Sequence, residues 1–189
     1  MWDDYLIKSK IHYILNMPKE ELDVAFLMAA EDYDEGKNIQ QTFVAACSAH
    51  YRSNTRHEYI NEARSFHLLQ VALVLDAVGA SVPQIKAGLL HDIVGVSDWS
   101  LETIFHRFGE KVGSIVEGVQ NGIMSPDAKT VKLACVLGNL HSGIKSDHPN
   151  LPQLVETTRL SLPNLKEGNS ILMSAIYDII EHCNRTLVS

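Results

Sequence analysis

The segment Ile85–Val94, IKAGLLHDIV, sets His91 beside Asp92 at the end of an apolar helical run. Burying both side chains is costly unless something pairs with them, so whatever fold this chain adopts must supply those partners. Successive helix positions differ by about 100° in direction. The two side chains therefore diverge at Cβ, yet both can reach an ion held against the helix. A second helix would have to bring further ligands. His67 stands at the head of the preceding apolar segment, before Leu68, Val71, Ala72, Val74 and Leu75. The competing readings are a structural ion pair or loop cap for His91 and Asp92, and a satisfied core or surface histidine for His67. Mixed imidazole and carboxylate donors suit manganese, iron, zinc or magnesium at a hydrolytic centre.

Apolar periodicity and punctuation predict helices throughout. The first covers about 2–16, and the second starts near Pro18 and runs to about Ala30. An acidic loop from Glu31 to Gly36 separates it from a third at about 40–51. Arg52–Glu58 is polar and aperiodic, a loop. A long helix spans about 61–78, closed by Gly79. The next, capped by Ser81 with Pro83 in its first turn, reaches His91 and Asp92. Further helices are expected from Ser100 to before Gly109, from Glu110 to about Val119, from Ser125 to about Lys145, and at about 153–162 and 168–185, with His148–Pro152 as a loop. No alternating strand, repeat or low-complexity segment is visible, so the expected class is all-α.

The chain is long enough, at 189 residues, to bury a core without metal or disulfides. Its net charge of −7 and scattered basic residues argue against binding duplex nucleic acid through phosphates. A small anionic ligand needs only a local cluster and stays open. The 3 cysteines lack a CxxC pattern and read as reduced. No signal peptide or bilayer-spanning run is seen, and the expected compartment is the cytoplasm.

Three blocks, HLLQVALVLDAVGA (67–80), AGLLHDIV (87–94) and WSLETIFHRFGEKV (99–112), resemble the HD superfamily, and most closely its RelA/SpoT-type branch, including the small stand-alone alarmone hydrolases. IVEGV (115–119), KTVKLA (129–134) with Asn139, and LSLPNLKEGN (160–169) continue the likeness. The resemblance implies an all-helical phosphohydrolase that removes the 3′-pyrophosphate from guanosine tetra- or pentaphosphate, usually with manganese. It implies residues 1–38 as an N-terminal helical extension and 39–189 as the hydrolase-like domain. By the same resemblance His67, His91 and Asp92 fall on metal-ligand positions. Arg52, Arg56, Lys132 and Asn139 fall near the nucleotide, although Arg52 and Arg56 read equally as a solvated loop.

Two departures stand against that pattern. The family's Glu-Asp pair after the His-Asp, which positions or activates the attacking water, is Gly95-Val96 here. Losing a general base typically costs about 10²–10⁴-fold in rate. Asp98 and Glu102 are candidate substitutes, though a solvated loop aspartate is the competing reading of Asp98. The family's later aspartate is Cys135, either a fourth ligand or a small apolar core residue. Three function classes follow. One is a weakened or altered metal-dependent nucleotide pyrophosphohydrolase. Another is an inactive HD domain that binds or senses a guanine nucleotide or a protein partner. The last is an interaction protein or homo-oligomer that offers Trp2, Tyr5, Tyr13 and Phe26 as an apolar surface.

Overall fold

The computed structural model describes residues 2–52 and 64–187. Among them are ten α-helices: α1 (Trp2–Asn16), α2 (Lys19–Glu31), α3 (Gly36–Arg52), α4 (Arg64–Ala77), α5 (Val82–Leu90), α6 (Leu101–Phe108), α7 (Glu110–Asn121), α8 (Pro126–Lys145), α9 (Leu151–Ser161) and α10 (Ser170–Leu187), with a 3-10 turn at Leu162–Leu165. The described residues hold no strand beyond one isolated bridge between Val94 and Ser97, so the all-α expectation is met. The start expected near Asn61 lies outside the described residues. Helix α3 begins earlier than its periodicity suggests. Pro152, expected in a loop, lies in the first turn of α9, where its missing N–H costs nothing.

Helix α4 is the axis of the molecule. Residues 67–75 and Ala77 are all buried, because α1, α2, α3, α5 and α8 pack around it. A helix surrounded in this way can be apolar on every side, and His67 and Gln70 are the polar exceptions. The Gln70 amide donates to the Leu15 carbonyl at the end of α1, 3.1 Å away. At the other end of α4, Asp76 accepts from Tyr33 at 3.0 Å and pairs with Lys10 at 3.2 Å. Ile11, Ile14, Leu15, Leu22 and Phe26 of α1 and α2 belong to the same core as the later helices. Phe26 is therefore a core residue and not part of the expected apolar surface, whereas Tyr5 and Tyr13 are exposed. The Trp2 side chain lies outside the described residues.

Close approach sets the frame of the site. Gly88 of α5 faces α4 so tightly that a β-carbon there would meet Leu75 Cδ1 at 2.5 Å. Ser81 fixes the start of α5, its N–H donating to Gln84 Oε1 at 2.8 Å. Helix α5 ends at Leu90, and His91 forms its C-cap.

Candidate metal centre

Helices α4, α5 and α8 each deliver one donor to a common point. His67 leaves the first turns of α4, His91 the end of α5, and Cys135 the middle of α8. Their donor atoms all lie within 4.8 Å of one another, and all three residues are buried. Cys135 Sγ is 3.2 Å from His91 Nε2 and 3.9 Å from His67 Nε2. The imidazoles meet edge-on, with centroids 5.4 Å apart. Gly138, one turn after Cys135, makes room for this: a β-carbon there would sit 3.2 Å from His67 Cε1. His91 Nδ1 lies 2.7 Å from the Gly88 carbonyl. A carbonyl only accepts, so Nδ1 carries a proton, and Nε2 is the ring atom turned toward Cys135.

Asp92 turns elsewhere. Its carboxylate is bonded to the Arg64 guanidinium and lies 3.3 Å from His50 Nε2. Burial opposes its ionisation, but the charge of His91 together with His50 and Arg64 outweighs that and holds the carboxyl far below the usual range. Burial likewise disfavours charge on His91 and on Cys135. Their mutual attraction overrides it, raising the imidazole and lowering the thiol, with Asp92 assisting the first and Lys132 the second. The cleft above this cluster encloses about 490 Å³ and is lined by Arg64, His67, His91, Asp92, Val94, Val96, Val119, Gln120, Lys132, Cys135 and Asn139.

Of the residues singled out from sequence, His67, His91, Asp92, Lys132, Cys135 and Asn139 line this cleft. Asp98 and Glu102 do not: both are exposed outside it. Val96, at one position of the expected acidic pair, lines the cleft instead, and Gly95 is exposed at φ +89°. Arg52 is exposed on α3, its Nε donating to the Ser48 carbonyl at 3.2 Å. Arg56 lies outside the described residues. Sequence reading missed Arg64, His50 and Gln120. Arg64 had a signal, since it precedes His67 by three positions and so shares its helix face. His50 had none, being brought by α3 from a distant part of the chain.

A second cleft, of about 470 Å³, lies among α1, α8 and α10, with His12, His141 and His182 at its edge. These do not converge; among the described residues the ligand-type cluster is His67, His91 and Cys135.

Residues 40–150, more than half of the chain, match the HD domain. This chain belongs to the HD-domain family. Its likeness to curated proteins is local. It is 37% identical over 81 residues to a probable chloroplastic GTP diphosphokinase of Oryza sativa, which covers 43% of this chain and 11% of that protein. It is 38% identical over 85 residues to a guanosine-3′,5′-bis(diphosphate) 3′-pyrophosphohydrolase of Aquifex aeolicus, covering 44% and 12%. A probable enzyme of the latter kind from Synechocystis is 45% identical over 53 residues, covering 28% and 7%. The chain thus spans about a tenth of the length of these relatives. No described helix of this HD domain is long and apolar enough to cross a membrane.

The donors can be tested against the metal such a domain implies. Two imidazoles and a thiolate suit a divalent ion of borderline or soft character, whereas a thiolate is a poor partner for hard manganese. The set fits a divalent metal, and its sulfur donor matches the manganese expected from the resemblance poorly.

Proposed function

We propose that the cleft binds a phosphorylated guanine nucleotide of the tetraphosphate type and that the domain removes its pyrophosphate slowly, in a metal-dependent reaction. The observation that carries this reading is the convergence of Arg64 and Lys132 with the His67–His91–Cys135 cluster in one cleft. His67, His91 and Cys135 would hold a divalent ion, which when bound would supply Lewis-acid polarisation of a phosphoryl oxygen. Lys132 offers a charged donor to the phosphate chain, and Arg64, anchored on Asp92, presents a planar one. Asn139 and Gln120 add neutral donors at the wall. Turnover is slow because Asp92, the one carboxylate lining the cleft among the described residues, is engaged by Arg64 and His50, and Val96 can neither accept a proton nor orient water. The same observation favours a second reading, nucleotide binding without turnover.

The experiment is incubation of the metal-loaded protein with guanosine tetraphosphate at high enzyme concentration, with products separated by anion exchange. Slow pyrophosphate release is expected, with a gain of about 10²-fold in Val96→Asp, which returns a carboxylate to the cleft. Thermal stabilisation by the nucleotide with no turnover in either protein would establish the second reading. Absence of both binding and turnover would sink both. Exposed Tyr5 and Tyr13 support a protein partner or self-association through α1, and the three free cysteines support a reducing compartment such as the cytoplasm. We read residues 1–38 as an extension and 39–189 as the HD domain, although their side chains share one core.

A further inference from the structure

The three converging donors resemble part of a tetrahedral coordination shell. In a tetrahedral site with metal–nitrogen bonds of about 2.0–2.1 Å and metal–sulfur bonds of about 2.3 Å, adjacent donors stand about 3.5 Å apart. The two sulfur–nitrogen separations here, 3.2 Å and 3.9 Å, bracket that value. The His91 ring is already oriented by its Nδ1–H bond to the Gly88 carbonyl, the kind of outer contact that fixes a ligating histidine. Gly138 holds open the space against which His67 lies. Asp92, the residue expected to complete a hard oxygen-containing shell, is turned onto Arg64 and His50.

We infer that this centre selects a thiophilic divalent ion of the zinc class over manganese, binding it through His67 Nε2, His91 Nε2 and Cys135 Sγ, with Asp92 outside the shell. Three protein ligands and one open position make a site that remains accessible from the nucleotide cleft. The inference rests on the proposed function only in treating the cleft as a metal centre. It requires neither nucleotide binding nor turnover.

The test uses the full chain, freed of metal by chelation and titrated with cobalt(II), then with zinc or manganese as competitor. The wild type should show the near-ultraviolet charge-transfer absorption of a cobalt–thiolate bond. One equivalent of zinc should remove it, and a hundredfold excess of manganese should not. Cys135→Ser should lose the absorption and weaken zinc binding by more than about tenfold, the lower range for disturbing even an outer contact of a metal site. Cys135→Asp should bind without that absorption and shift preference toward manganese. Asp92→Asn, checked for folding by circular dichroism, should keep the absorption. Absence of the cobalt–thiolate signal in the wild type would overturn the inference. So would equal competition by manganese, or unchanged zinc affinity in a folded Cys135→Ser. Because no nucleotide is present, a failed hydrolysis assay leaves this result standing, and a failed metal titration leaves nucleotide binding to be judged on its own.

Discussion

Replacing Asp92 by asparagine separates a carboxylate that anchors the fold from one that ligates metal. The side chain is 19% exposed, against 17% for Arg64 and 4% for His50, so solvent screens the group only weakly. Asparagine preserves shape and can still accept a hydrogen bond from Arg64, but it removes the charge that balances two basic neighbours. Breaking a buried pair costs about 3–5 kcal/mol; the retained hydrogen bond lowers the expectation to about 2–3 kcal/mol. For a chain of this length that corresponds to a fall in Tm of about 4–12 °C. The pH dependence has a definite sign. The folded Asp92 carboxyl lies below its unfolded value, so its contribution is complete above an unfolded pKa of about 3.9 and is lost as pH falls through the folded value. The difference between wild type and Asp92→Asn should therefore be constant near neutrality and shrink below about pH 4. The assay is thermal unfolding by circular dichroism in the presence of chelator, from pH 7 downward. Equal Tm values at neutral pH, or a difference that does not shrink in acid, would refute the pairing described here.

Other outcomes follow from the same geometry. Gly88→Ala should destabilise by about 1–3 kcal/mol, since its methyl group would press on Leu75 where α4 meets α5; denaturant unfolding measures this. Gly138→Ala should leave stability nearly unchanged, because the helix propensity gained by alanine, about 1 kcal/mol, offsets the crowding. It should nevertheless weaken metal binding, because the methyl group pushes on the His67 ring, and a cobalt titration would show it.

The helices that build the centre are legible in the sequence because their signals are local: capping serines, first-turn prolines and unbroken apolar periods. His67 and His91 can be paired from the residue pattern, each lying on or at the end of an apolar helix. Asp92 cannot be assigned a direction in the same way. Its side chain is claimed by His50 from α3, and no spacing rule connects residues so far apart in sequence. Cys135 is ambiguous as a letter because a thiol is chemically both a small apolar group and a ligand; only the 3.2 Å approach of His91 distinguishes the two. Asp98 and Glu102 show the opposite limit. Nearness in sequence to His91 suggests access, but the turn after α5 carries the chain out to solvent, leaving Val94 and Val96 on the cleft wall.

The burial of α4 on every side sets a boundary for the molecule. The helix carrying His67 is roofed on one flank by α1 and α2, and the match to the HD domain begins only at residue 40. Leu15 and Phe26, upstream of that match, lie in the same core. The recognisable segment and the cooperative folding unit are thus not coextensive. A fragment spanning 40–150 would leave one flank of α4 facing water and, with it, the helix that aims His67. For this chain, the smallest piece that resembles an HD domain is smaller than the smallest piece that should fold as one.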